Sequence, residues 1–415
     1  MYGRRDFLKT TGGTLAALLS PRGLSAGQID RQAVPPGPPV GIAVIGLGHW
    51  GREILTSLAR MRSATVAMVC DLYAPSLRRA ADIAPGAAAI SDFRRALDSP
   101  AVDAIVVATP TPAHAPIVVA ALEAGKHVYC EVPLAASIAD ARSIAAAAAA
   151  RPRQVVQGGL QGRSNELYRH VSQFVESDVL GDVALVNAQW NRRDSWRRPG
   201  STPERERALN WRLERDSPGL LGEVGIHQID LMLQYLGQPP LRITGTGSVA
   251  TWRDGRETPD TVACLIEFPR TRANYRATLA SSFGGSYTVF QGSNSALFMK
   301  ETRSWMVKEA DSPLLGWEVY ARKEPVHDET GIAMVADATK LLEAGKEPGK
   351  DGPVEPEIPP LQLALEGFLR SIRTGDAPRC SAKTAYEATV IALKANEAAV
   401  GNTSVVVRPG DFTLE

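Results

Sequence analysis

Cysteine, surplus charge and long apolar runs are all scarce in this chain. Four cysteines among 415 residues, Cys70, Cys130, Cys264 and Cys380, lie too far apart for a metal-ligand cluster or a disulfide framework. Cys70 and Cys130 fall inside apolar, strand-like runs, so buried free thiols are expected. Lys+Arg total 46 against 45 Asp+Glu, and a net charge of +1 gives no electrostatic reason to expect a nucleic acid or an anionic membrane as partner. No run beyond the N-terminal segment is long enough to span a bilayer, which needs roughly 20 apolar residues. No Ser-His-Asp arrangement, phosphate-transfer loop or metal-ligand spacing occurs, so no metal is expected. A hydrophobic share of 44% with 22% charged residues is that of a globular enzyme, and the length asks for more than one core.

What is present is glycine in a functional spacing. Val44-Ile-Gly-Leu-Gly-His-Trp-Gly51 places three glycines at G-x-G-x-x-G after an apolar strand and before a helix-like segment. Gly46 allows the tight turn, Gly48 the approach of a pyrophosphate, and Gly51 the close packing of helix on strand. Leu47, His49 and Trp50 complete the cofactor-facing turn, with His49 placed against phosphate. Thr65-Val-Ala-Met-Val-Cys-Asp71 reads as the second strand, and its terminal acid suits the adenosine ribose hydroxyls. Asp71 would repel a 2′-phosphate, so NAD is expected over NADP, with the neighbouring Arg78-Arg79 pair pulling the other way.

The N-terminus carries Arg4-Arg5-Asp6-Phe7-Leu8-Lys9, a mildly apolar run from Thr10 to Ser20, and Leu24-Ser25-Ala26 as a cleavage site. This resembles a twin-arginine export signal and predicts a periplasmic or secreted protein, with a basic amphipathic helix as the alternative. We divide the chain into signal and linker (1–33), a dinucleotide-binding domain (34–160) that begins in earnest near Val40 after the stiff Val34-Pro-Pro-Gly-Pro-Pro39 stretch, and a substrate domain (161–415).

Between Val40 and Gly159 short apolar runs alternate with helical ones, which predicts an α/β fold with a doubly wound parallel sheet of Rossmann type. Ser137-Ile-Ala-Asp140 is a capping box, and Gly125 ends the helix before it. Beyond that point Val183–Trp190, Leu241–Ser248, Thr261–Phe268 and Tyr275–Ala280 read as strands without intervening long helices. An open, mostly antiparallel sheet is expected there. Gly349 to Pro360 reads as irregular, followed by helices over Leu361–Arg373 and Ala382–Ala398.

The ordered set Gly46-Leu-Gly-His-Trp-Gly51, Ala108-Thr-Pro110 with His114, Gly125-Lys-His-Val-Tyr-Cys-Glu-Val-Pro133, Gly181-Asp-Val183 and Glu223-Val-Gly-Ile-His-Gln-Ile-Asp230 resembles the glucose-fructose oxidoreductase / inositol dehydrogenase (Gfo/Idh/MocA) family. The resemblance implies a nicotinamide cofactor between two domains and a sugar, polyol or similar alcohol as substrate. It assigns Thr109, His114, Glu131 and Pro133 to the cofactor side. One departure matters: the family's Glu-Lys-Pro lysine, which handles the reacting hydroxyl, is Val132 here. Valine accepts no proton, so another side chain must.

His227 is the first choice for that base, matched to the family's motif and of a type that titrates near neutrality. Glu223 and Asp230 are candidates to orient or charge it, Asp230 having a purely structural cap or salt bridge as its alternative. Tyr168 is the competing base if a cation lowers its phenol. Trp190-Asn-Arg-Arg-Asp-Ser-Trp196 and Asn210-Trp-Arg212 mix indoles with guanidiniums, and Arg193, Trp196 and Trp211 are expected to grip a carbohydrate. Outside the cytoplasm no nicotinamide pool exists, so an exported member must keep its cofactor and recycle it. Three readings follow: a closed-cycle sugar oxidoreductase, an NAD-dependent glycoside hydrolase working by transient oxidation and elimination, and a non-catalytic binder. Pairing of two copies through the open sheet is expected.

Overall fold

The protein is described by a computed structural model covering residues 33–315, 318, 321–334 and 358–414. Arg4, Arg5, the Thr10 to Ser20 run, the Leu24-Ser25-Ala26 site and most of the segment from Gly349 to Pro360 lie outside these residues.

Two sheets organise the chain. The first contains β1 (Val40–Ile45), β2 (Ala64–Cys70), β3 (Ala88–Ile90), β4 (Ala104–Val107), β5 (His127–Cys130) and β6 (Val156–Gly158), all parallel, in the order β3-β2-β1-β4-β5-β6. That is the doubly wound order whose strand carboxyl ends bind dinucleotides. Every residue of β1 and β4 is buried, as strands covered on both faces require. The helices α1 (His49–Ala59), α2 (Ala74–Ile83), α3 (His114–Glu123) and α4 (Ile138–Ala149) connect them. Ser137 caps α4 by accepting the Asp140 N–H at 3.0 Å, and Gly125 takes φ +76° just past α3. The three-residue edge strand β3 is too short to carry a period and adds to the set expected from the sequence.

The second sheet has ten strands among the described residues. After α5 (Glu166–Glu176) come β7 (Val183–Asn191), α6 (Ile226–Leu236), β8 (Arg242–Ser248), β9 (Thr261–Glu267), β10 (Arg272–Thr278), β11 (Ser286–Gly292), β12 (Ser295–Met299), β13 (Ser304–Lys308), β14 (Lys323–Val326) and β15 (Glu329–Met334). Two helices, α7 (Pro360–Thr374) and α8 (Ala382–Gly401), and β16 (Ser404–Val406) close the fold. The order is β14-β15-β13-β12-β11-β7-β10-β9-β8-β16; β7 and β10 pair parallel and the other pairs antiparallel. One face is covered by α6 and α8, which explains the clean in-out alternation of β9 and β10.

The division of the chain at residue 160 needs one correction. Leu361, Leu365 and Phe368 of α7 belong to the apolar core formed by β1 and α1, and Phe368 meets Tyr129 of β5 edge-on at 5.8 Å. A helix from the far end of the chain therefore completes the dinucleotide-binding unit. Truncating a buried aromatic of this kind typically costs about 3–5 kcal/mol.

Candidate functional site

The glycine turn has the shape its sequence demands. Gly46 sits at φ +93°, and a Cβ there would lie 2.6 Å from the Ala108–Thr109 backbone. A Cβ on Gly51 would lie 1.9 Å from the Gly46 carbonyl, whereas one on Gly48 would meet nothing within 4 Å. Two glycines are needed for close packing, and the third leaves open the approach a diphosphate needs. Gly48 precedes α1 with no side-chain cap, so the first-turn amides are free to bind an anion. Asp71, at the end of β2, is held in place by two backbone donors: the Leu47 N–H reaches Oδ2 and the Tyr73 N–H reaches Oδ1, each at 2.8 Å. The ribose acid and the phosphate turn are thus one hydrogen-bonded unit.

From Trp50 the surface falls into a cavity of about 470 Å³ between the two sheets. Thr109, His114, Glu131 and Val132 line it on one side, Tyr168, Glu223 and His227 on another, and Tyr287 and Lys300 on the open-sheet side. Glu131 follows β5. Burial pushes its carboxyl up to about 7, although Trp50 and the Val132 amide pull the other way, and its Oε1 has no hydrogen-bond partner among the described residues. A buried acceptor left open beside the end of the glycine turn fits a cofactor hydroxyl. His114, in contrast, lines the cavity with both ring nitrogens facing backbone carbonyls. It is 1% exposed, and its ring nitrogens bridge the carbonyls of Pro133 (3.1 Å) and Thr109 (3.0 Å). Burial lowers its pKa while the two carbonyls pull the other way; a neutral ring donates to one of them at a time, and its body spans the two cofactor-side loops.

The chain enters α6 through a π-helical turn, Leu221–Gly225, an irregularity common at functional sites. The wide turn positions both Glu223 and His227. His227 is half-buried against the cavity with no hydrogen-bond partner among the described residues, and burial alone pushes its imidazole down to about 4. It is neutral at pH 7 with a free lone pair, and the burial that keeps it neutral also lowers its basicity.

The other acid-base candidates are placed differently from expectation. Glu223 does not orient His227; its Oε2 accepts from Arg212 Nε at 2.7 Å and its Oε1 from the Thr111 hydroxyl at 3.0 Å, tying the two domains. Asp230 does not serve the imidazole either. It is 3% exposed and holds Arg163, which realises its structural alternative. Tyr168 lines the cavity, but burial, reinforced by the charge of Glu301, pushes its phenol upward instead of down. An i, i+3 spacing and a tyrosine near a strand end gave no hint of these partners, which come from distant segments.

Three expected sugar contacts are also corrected. Arg193 turns away, donating to the Ala280 carbonyl at 3.2 Å with its guanidinium over Trp252. Trp196 packs against Trp190, and Trp211 carries Arg212 at 4.4 Å; none of the three lines the cavity. Trp190, Arg192 and Arg212 do. Period-two alternation along β7 could have selected Arg192, two residues past Trp190, over Arg193. Tyr287 lies in β11 and Lys300 just past the end of β12, and no spacing in the sequence ties either to the glycine turn. Arg192, Arg212 and Lys300 thus line the same cavity as the Glu131 carboxyl and the unpartnered imidazole of His227.

Comparison with known proteins gives the fold a lineage. Residues 40–158 match the oxidoreductase family, NAD-binding Rossmann fold, and residues 168–297 the GFO/IDH/MocA C-terminal domain. An uncharacterized oxidoreductase of Streptococcus pneumoniae is 25% identical over 314 residues, 75% of this chain and 82% of its own length. An inositol 2-dehydrogenase of Rhodococcus jostii is 33% identical over 147 residues, 35% of this chain and only 40% of that enzyme. Among solved structures, levoglucosan dehydrogenase in complex with NADH and levoglucosan superposes with a TM-score of 0.71 at 19% identity, covering 89% of this chain and 99% of that one. An aldose-aldose oxidoreductase of Caulobacter crescentus superposes at 0.68 and 19%, covering 89% and 100%, and like the first it speaks to the fold alone. With both of its domains matched over more than half of its length, the chain belongs to the Gfo/Idh/MocA family of NAD-binding oxidoreductases.

Proposed function

We propose that this protein oxidises and re-reduces a sugar or polyol with a nicotinamide dinucleotide that it retains between half-reactions. The observation that carries the reading is the position of the neutral, unpartnered His227 imidazole in the cavity that the glycine turn opens into. A dinucleotide bound there would accept a hydride from the carbinol carbon and later return it. The diphosphate would rest on the amides after Gly48, the adenosine ribose on Asp71, and the nicotinamide end near Glu131 and Thr109. His227 takes the hydroxyl proton as the carbon loses its hydride, and gives it back when the second substrate is reduced. Arg192 and Lys300 offer donors to the remaining hydroxyls. NAD is the proposed form, since the Asp71 carboxylate disfavours a 2′-phosphate.

The sugar-related names of the relatives support the substrate class, and the twin-arginine pattern supports export with the cofactor already bound. A second reading is favoured by one residue. Val132 takes the place of the family's lysine, and an NAD-dependent glycosidase that oxidises, eliminates the aglycone, adds water and reduces again needs no net exchange of cofactor. Mass spectrometry of undialysed protein should find NAD(H) in near-equal amount with the chain. Addition of the right sugar should then raise the reduced-nicotinamide absorbance. Release of phenol from aryl glycosides without that absorbance would replace the first reading by the second, and protein free of any dinucleotide would end both. Retention of loaded protein in the cytoplasm on changing Arg4 and Arg5 to Lys tests the export route; normal delivery would refute it.

A further inference from the structure

The surface beside Asp71 is built from both domains. Leu72, which follows the ribose acid, is 92% exposed, and Tyr73 opens α2 while its N–H donates to Asp71 Oδ1 at 2.8 Å. Over the Tyr73 ring, 4.0 Å from its centroid, lies the guanidinium of Arg205. Arg205 comes from the segment between β7 and α6, in the short helical stretch Pro203–Leu209. Local contacts hold that stretch in place. Thr202 Oγ1 caps it by accepting the Arg205 N–H at 3.2 Å, Arg197 pairs with Glu206 at 2.8 Å, and Asn210 bridges the backbone of Arg198 and Glu206. The Nε–H of Arg205 is buried and has no acceptor among the described residues.

A cation stacked on an aromatic ring is a stable placement for the guanidinium, but a buried guanidinium donor without an acceptor is costly and rare. Its position over the residue next to the ribose acid says what should satisfy it: an oxygen of the adenosine half of the dinucleotide. We propose that Arg205 is a cofactor-retention residue, supplied by the second domain to close the adenosine end of the site, so that the dinucleotide is held by both domains at once. The exposed Leu72 side chain offers the apolar platform for the adenine. This inference rests on the dinucleotide reading above and adds the residue that slows release. Retention of this kind belongs to a protein that cycles one cofactor many times.

The test is binding of two half-ligands by the full chain stripped of cofactor, compared between wild type, Arg205→Gln and Arg205→Lys. Loss of a charge-assisted hydrogen bond should weaken ADP-ribose roughly 10- to 100-fold in Arg205→Gln, with nicotinamide mononucleotide unchanged and NAD dissociating faster by a similar factor. Arg205→Lys should recover part of the affinity. Arg205→Lys keeps a cation over the Tyr73 ring, so the thermal midpoint of the cofactor-free protein should stay near wild type in that variant. Equal weakening of both half-ligands, or unchanged ADP-ribose affinity in Arg205→Gln, overturns the proposal. A wild type that binds neither half-ligand overturns instead the dinucleotide reading on which it stands.

Discussion

Asp230 gives both carboxylate oxygens to a single guanidinium: Arg163 Nε reaches Oδ1 and Oδ2 at 3.0 and 2.9 Å, and Nη2 reaches Oδ1 at 2.8 Å. The pair fastens α6, which carries His227, to the turn after β6. Removing one partner strands the other in a buried place, a change that typically costs about 3–5 kcal/mol. Arg163→Ala should lower the denaturation midpoint strongly, and the Arg163→Ala/Asp230→Asn double variant should lose less than the sum of its parts. Strict additivity in that cycle would show the two side chains to be energetically uncoupled.

The same helix yields the prediction about chemistry. His227→Ala should keep its dinucleotide and reduce it about 10²- to 10⁴-fold more slowly in a single turnover, as expected when a positioned base is lost. Tyr168→Phe should stay close to wild type, because a phenol pushed upward by burial accepts no proton at pH 7. Val132→Lys, placed at the cavity wall, should restore part of the rate in the His227→Ala background. Normal cofactor reduction by His227→Ala together with its loss in Tyr168→Phe would reverse the assignment.

Cofactor choice can be separated from turn geometry at Asp71. Asparagine keeps an oxygen for the Leu47 or Tyr73 N–H and removes the charge. Asp71→Asn should therefore bind NADP(H) more tightly relative to NAD(H) while the protein remains folded. Competitive titration with the two dinucleotides reads this directly, and an unchanged ratio would count against the proposed role.

Two side chains at the cavity set opposite pH dependences. Glu131 is raised in the folded protein from the usual 4.5 to about 7, so it favours the folded state most below pH 4.5 and loses that contribution as pH climbs through about 7. His227 is lowered from the usual 6.5 to about 4, so its contribution is complete above pH 6.5 and falls away as pH drops toward 4. Denaturant midpoints of cofactor-free protein across that range should flatten on the alkaline side in Glu131→Gln and on the acid side in His227→Gln. A Glu131→Gln curve that parallels wild type between pH 5 and 8 would contradict the first of these.

The elements legible in the sequence were those with a repeating local signal. The glycine turn, the capping box at Ser137, the stop at Gly125 and the α7 and α8 amphipathic helices all follow from spacing, and the structure places them within one to three residues. β12 to β15 are only four to six residues long, and β11, though seven, carries polar residues through its alternation, so none gives a strong periodic signal. Side-chain partnerships were harder still. Arg212 meets Glu223 across a π-helical turn, and Arg163 finds Asp230 across 67 residues. Linear spacing holds no record of such pairs, since tertiary packing decides them. The Leu361–Phe368 face shows the same limit, because amphipathicity announces that a face will be buried without saying against which core.

All four thiols are buried, and burial pushes Cys70 up to about 11 and Cys264 and Cys380 to about 12, with Cys130 raised as well. Thiolate is the species that alkylating reagents attack, and it is nearly absent from the native state at neutral pH. A cysteine of this protein therefore reacts when its surroundings open. Cys70 and Cys130 sit in β2 and β5, Cys264 in β9, and Cys380 just before α8. Pulse labelling followed by peptide mass mapping would resolve local opening of the dinucleotide domain from that of the open sheet, using reporters the chain already contains.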